Sequence, residues 1–151
     1  MSTGTSTDAL ASAGDINIIT GMSTAHRGGK IVASVGTTSM GNGNDINMTA
    51  GTTTSASSTG GQINITGGYG QSTSSGAGGD INVTAGASNS NSIGAPGGDV
   101  NIEAGAAVDS DGGSVFLSSG FSSEADSGSF TIQTDDSGSS GVSGSMLLQT
   151  G

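Results

Sequence analysis

The chain has 151 residues, 30 of them glycine, with no cysteine, no tryptophan, one proline and a hydrophobic share of only 30%. So lean a composition excludes an ordinary layered core and any disulfide framework. The formal net charge of −10 argues against nucleic acid and anionic membranes, which require clustered Lys and Arg.

Residues 1–13 are polar and are expected to form an N-terminal cap or a disordered leader, with Ala9, Leu10 and Ala11 folding over whatever follows. This stretch lacks a positively charged start and an apolar run, so it does not read as a signal peptide. No stretch of the chain is apolar enough over transmembrane length to span a bilayer.

From Gly14 onward, residues 14–151 form one repeat domain. An octapeptide recurs nine times: GDINIITG from Gly14, GKIVASVG from Gly29, NDINMTAG from Asn44, GQINITGG from Gly61, GDINVTAG from Gly79, GDVNIEAG from Gly98, GSVFLSSG from Gly113, GSFTIQTD from Gly128 and GSMLLQTG from Gly144. Successive starts lie 15, 15, 17, 18, 19, 15, 15 and 16 residues apart. A unit this short cannot bury a hydrophobic face alone, so its copies are expected to stack.

Apolar and polar residues alternate inside each copy. Positions three and five are aliphatic or aromatic in nearly every case, as in Ile63 and Ile65, Ile81 and Val83, or Val115 and Leu117. Period two predicts a β-strand with one buried face. The resulting expectation is an all-β fold, a single parallel β-solenoid (β-helix) of about nine short coils of 15–19 residues, its handedness open. The Gly/Ser/Thr/Asn-rich return paths are expected to supply a second, poorer strand, such as Thr52 to Ala56, that closes a flattened coil. The last strand, around Met146 to Leu148, would leave an open edge, which predicts weak end-to-end self-association.

Chemistry is sparsely represented. The single histidine, His26, sits with Arg27 and Lys30 in what reads as a solvated patch, and no arrangement of Ser, His and Asp suggests a nucleophilic triad or a zinc site. The expectation is a protein without catalysis or cofactors. Gly41 to Met48 and Gly76 to Val83 faintly resemble a calcium-roll nonapeptide. Position two, however, reads Asp15, Lys30, Asp45, Gln62, Asp80, Asp99, Ser114, Ser129 and Ser145, and a lysine within a calcium ladder defeats it. The carboxylates crowd toward the C-terminal part, from Asp99 to Asp136.

The outward face of the expected strands carries the clearest pattern. Asn47 and Thr49, Asn64 and Thr66, and Asn82 and Thr84 form an Asn-x-Thr grid over three successive copies, with Asn17 and Ser34 as extensions. On a paired sheet such groups would repeat about every 4.7–4.9 Å across strands, a spacing suited to ordering water. Here the chain resembles the Gly/Ser/Thr-rich repetitive ice-binding (antifreeze) proteins of polar microalgae. The resemblance implies a secreted, extracellular protein that adsorbs to the ice and water lattice through those eight residues and stops crystal growth. Glu103, Phe116, Leu147, Gln133 and Gln149 break the ladder in later copies. Amide ladders and β-propensity would produce the same grid in a plain scaffold.

Three N-glycosylation sequons fall on the grid, at Asn47, Asn64 and Asn82, where they read most simply as by-products of the repeat. The alternative function is a structural or adhesive solenoid segment of a cell-surface adhesin or a phage or viral fibre. A chain that stops within a repeat at Gly151 suits a piece of something longer.

Overall fold

The computed structural model describes residues 3, 13–72, 74–90 and 94–151. Among them there is no helix and no strand. The expected all-β solenoid is therefore not formed, and the second strand expected at Thr52 to Ala56 is replaced by a bend and turn at residues 55–57. The strand expected around Met146 to Leu148 is likewise coil. The cap expected over residues 1–13 lies outside the described residues, save Thr3 and Ala13.

The described residues hold no core around which coils could stack. No hydrophobic or polar side chain is buried among the described residues. The position-three residues keep between 48% (Ile16) and 59% (Ile31) of their surface exposed, and the large position-five residues between 58% (Ile132) and 82% (Leu148). The surface of 14920 Å² is more than double the about 6,800 Å² of a folded chain of 14.2 kDa. Ordering a residue's backbone costs roughly 1–2 kcal/mol, and burial on this scale cannot offset that over a chain so rich in glycine. Alternation marks which residues a strand would bury. It does not supply the neighbour against which to bury them.

The chain divides into two units, Met1–Ile81 and Asn82–Gly151. In each, local order is concentrated where one octapeptide hands over to the next. The last residue of one copy accepts a backbone hydrogen bond from the first residue of the next, so the intervening segment becomes a loop closed at its neck. In the first unit the Gly61 amide donates to the Gly51 carbonyl and that of Gly79 to Gly68, both at 2.8 Å. In the second, Gly98 donates to Gly86, Gly113 to Gly105 and Gly128 to Gly120, at 2.8–2.9 Å.

The loops turn by side-chain hydroxyls that capture nearby backbone amides, the alternative that Ser and Thr offer to regular structure. The Ser23 Oγ accepts from the His26 amide, Thr53 Oγ1 from Ser55, Ser72 Oγ from Ser74, Ser88 Oγ from Ser90 and Ser122 Oγ from Ala125. Thr38 Oγ1 both accepts from the Met40 amide and donates to its carbonyl. Left-handed backbone marks several of these loops, at Gly41, Gly94 and Gly141, and at Ser57, where a side chain is held at φ 61°.

Candidate functional site

Two sets of residues stand out, the expected Asn/Thr grid and the loop necks. All eight grid residues, Asn17, Ser34, Asn47, Thr49, Asn64, Thr66, Asn82 and Thr84, are exposed. None of their side chains makes a hydrogen bond among the described residues, and no paired strand sets a spacing between one copy and the next. The structure presents each Asn-x-Thr motif to solvent but does not assemble the motifs into a ladder, because the backbone pairing that would align them is not formed.

The necks have a stricter logic. The half-buried residues include Ala50, Gly67, Ala85 and Ala104, each at position seven of its copy. That residue lies beside position one of the next copy: a Cβ built on Gly61 would come 3.3 Å from the Ala50 Cβ, and one on Gly113 would come 3.4 Å from the Ala104 Cβ. Position one approaches backbone as well, since the same Cβ on Gly61 would sit 3.0 Å from the Gly51 nitrogen. Only glycine admits that approach without a shift.

Which necks close goes with the residue at position seven of the preceding copy. The five closed necks follow Ala50, Gly67, Ala85, Ala104 and Ser119, all small and unbranched at Cβ. The three necks without the backbone bond follow Thr20, Val35 and Thr134, all β-branched. At the first of these, a Cβ on Gly29 would lie 2.9 Å from the Thr20 Cβ, and the contact is made instead by the Thr20 hydroxyl, which donates to the Gly29 carbonyl at 3.2 Å. At the second, Asn44 replaces glycine at position one and brings a Cβ of its own. At the third, the Ser143 hydroxyl accepts from the Ser137 amide inside the loop.

Sequence reasoning found the glycines as repeat boundaries but not as neck partners. The signal lay in the pairing of a small position seven with a glycine at the next position one. Nothing at the necks or along the octapeptides builds a chemical centre. Among the described residues there is no pocket, and no group of three His, Asp or Glu side chains converges to hold a metal. The acidic residues from Asp99 to Asp136 are exposed throughout. No described helix is long and apolar enough to cross a membrane. No protein-family model, curated protein or solved structure matches the chain.

Proposed function

We propose that this chain is a structural or adhesive repeat segment, of the kind that a cell-surface adhesin or a phage or viral fibre contains, working outside the cell and without catalysis. The observation that carries the reading is the combination of octapeptides with no buried side chain among the described residues and loops closed at their necks: Gly61 to Gly51, Gly79 to Gly68, Gly98 to Gly86, Gly113 to Gly105 and Gly128 to Gly120. Such a chain displays Ser/Thr-rich loops to its surroundings and spends little of its length on a core. Small-angle scattering at high dilution tests it. A folded chain of this length has a radius of gyration of about 15 Å and an unfolded one about 41 Å. A spacer gives a value well above the lower figure, and a compact value discards the reading.

A second reading is supported by one observation, the exposure of all eight Asn, Thr and Ser residues of the grid. Ice binding, which the resemblance to microalgal antifreeze proteins implies, would use these side chains one motif at a time. Growth of a single ice crystal in a supercooled solution tests it beside Thr66→Tyr. Faceting lost in the variant supports ice binding, and smooth crystals from the wild-type protein discard it.

A further inference from the structure

The nine octapeptides leave their apolar columns uncovered, with none of their large side chains buried among the described residues. Ile63 and Ile65 are 50% and 65% exposed, and the corresponding pairs in the other copies behave alike. Between necks, the octapeptide backbones make no hydrogen bond to one another among the described residues. The surface exceeds that of a folded chain of equal mass by about 8,000 Å², several times the roughly 1,200–2,000 Å² that a stable interface buries.

We propose that the octapeptides are a docking surface for a second copy of this same chain, laid alongside in parallel and in register. Three features select that occupant. Alternating apolar positions whose backbone groups, away from the necks, make no backbone hydrogen bond among the described residues accept an extended segment of the same alternation, and every copy of the chain brings nine of them. A slip of one residue would turn the aliphatic columns away from each other, so pairing is held to matched octapeptides. Among matched alignments, zero offset alone sets each closed loop beside one of its own length. The loops enclose residues 52–60, 69–78, 87–97, 106–112 and 121–127, and a shift by one copy sets the longest, 87–97, against 106–112 or 69–78.

Zero offset also stacks Asn on Asn and Thr on Thr along the grid, the arrangement in which amide and hydroxyl ladders form. The opposing term is charge. Asp99, Glu103, Asp109, Asp111, Glu124, Asp126, Asp135 and Asp136 would each meet their own counterpart, with no Lys or Arg in the second unit to relieve them. Pairing therefore strengthens as salt screens that repulsion. It goes beyond the spacer reading, which holds equally for a chain that stays single.

The absence of native cysteine makes the test direct. Two single-cysteine variants, Thr49→Cys and Thr66→Cys, are mixed in equal amounts at moderate salt, one of them isotope-labelled, oxidised gently, and the disulfide dimers are weighed by mass spectrometry. In-register pairing yields dimers of each variant with itself and a loss of mixed dimers below the statistical half. Mixed dimers at the statistical proportion overturn the proposal, as does sedimentation of the wild-type chain as a strict monomer at all concentrations and salts. Ile63→Asp together with Ile65→Asp removes two column residues, and since neither side chain is buried in the single chain, the variant keeps its neck bonds while losing the self-matched dimers. Scattering at high dilution reads the spacer property separately, so failure of pairing and failure of that reading are distinguishable.

Discussion

The amide of Gly98 reaches the carbonyl of Gly86 at 2.9 Å, and the residue beside that bond, Ala85, is one of the few half-buried residues of the chain. The small side chain and the hydrogen bond belong together. Every closed neck follows a small residue unbranched at Cβ, and no neck that follows a β-branched residue carries the backbone bond among the described residues.

Ala85→Val is accordingly expected to open the neck between Gly86 and Gly98, and Thr20→Ala to create one between Gly21 and Gly29. A solvent-exposed bond of this kind contributes at most about 1 kcal/mol, or roughly fivefold in amide exchange. Exchange at Gly98 should accelerate by up to that factor in the first variant while Gly113 is unchanged, and exchange at Gly29 should slow in the second. Equal rates in variant and wild type would show that position seven does not govern closure.

Heat should reveal no cooperative transition in the dilute single chain. A calorimetric endotherm reports apolar surface exposed together on unfolding, and no side chain among the described residues is buried to begin with. A scan expected to be featureless is paired with a far-ultraviolet circular dichroism spectrum that lacks helix and sheet bands. A sharp endotherm at low concentration would contradict the open chain.

Charge distinguishes the two units. Asn82–Gly151 carries eight carboxylates and no Lys or Arg, whereas Met1–Ile81 sets Arg27 and Lys30 against four carboxylates. Raising ionic strength from about 0.01 M to 0.15 M shortens the screening length from roughly 30 Å to 8 Å. Fluorophores at Ser114→Cys and Ser145→Cys should then approach, with a clear rise in energy transfer, while a pair at Ser23→Cys and Ser58→Cys moves less. An equal response in both units would rule out charge as the cause.

The sequons at Asn47, Asn64 and Asn82 lie on exposed coil, with threonine at the third position of each. That exposure departs from reading them as mere by-products of the repeat, so secretion through a glycosylating pathway is expected to add a glycan at all three, seen as three mass steps removed one by one by Asn→Gln. An unmodified secreted chain would show that exposure alone does not make these motifs acceptors.

The repeat was legible in the sequence, and so were the places where loops begin and end, because glycine at positions one and eight marks both. Alternation predicts strands, and among the described residues there are none. Ile81 and Val83 carry the period of a half-buried strand, but period specifies a face and says nothing of what lies opposite. The Asn/Thr grid inherits the same gap: its residue types and exposure can be read from the chain, whereas its lattice spacing depends on partners that one chain does not provide. The neck partners are not legible in the repeat columns, because each pair joins non-equivalent positions of two different copies, such as Thr20 with Gly29.

Closure at the neck also frees the loops from any fixed length. The enclosed segments range from 106–112 to 87–97, yet the glycines at their bases meet at 2.8–2.9 Å in every closed case. A foreign peptide spliced between Val108 and Ser110 is therefore carried outward without displacing the octapeptides on either side. Each closed loop is thus a grafting point for an epitope or ligand, resting on a base of fixed geometry.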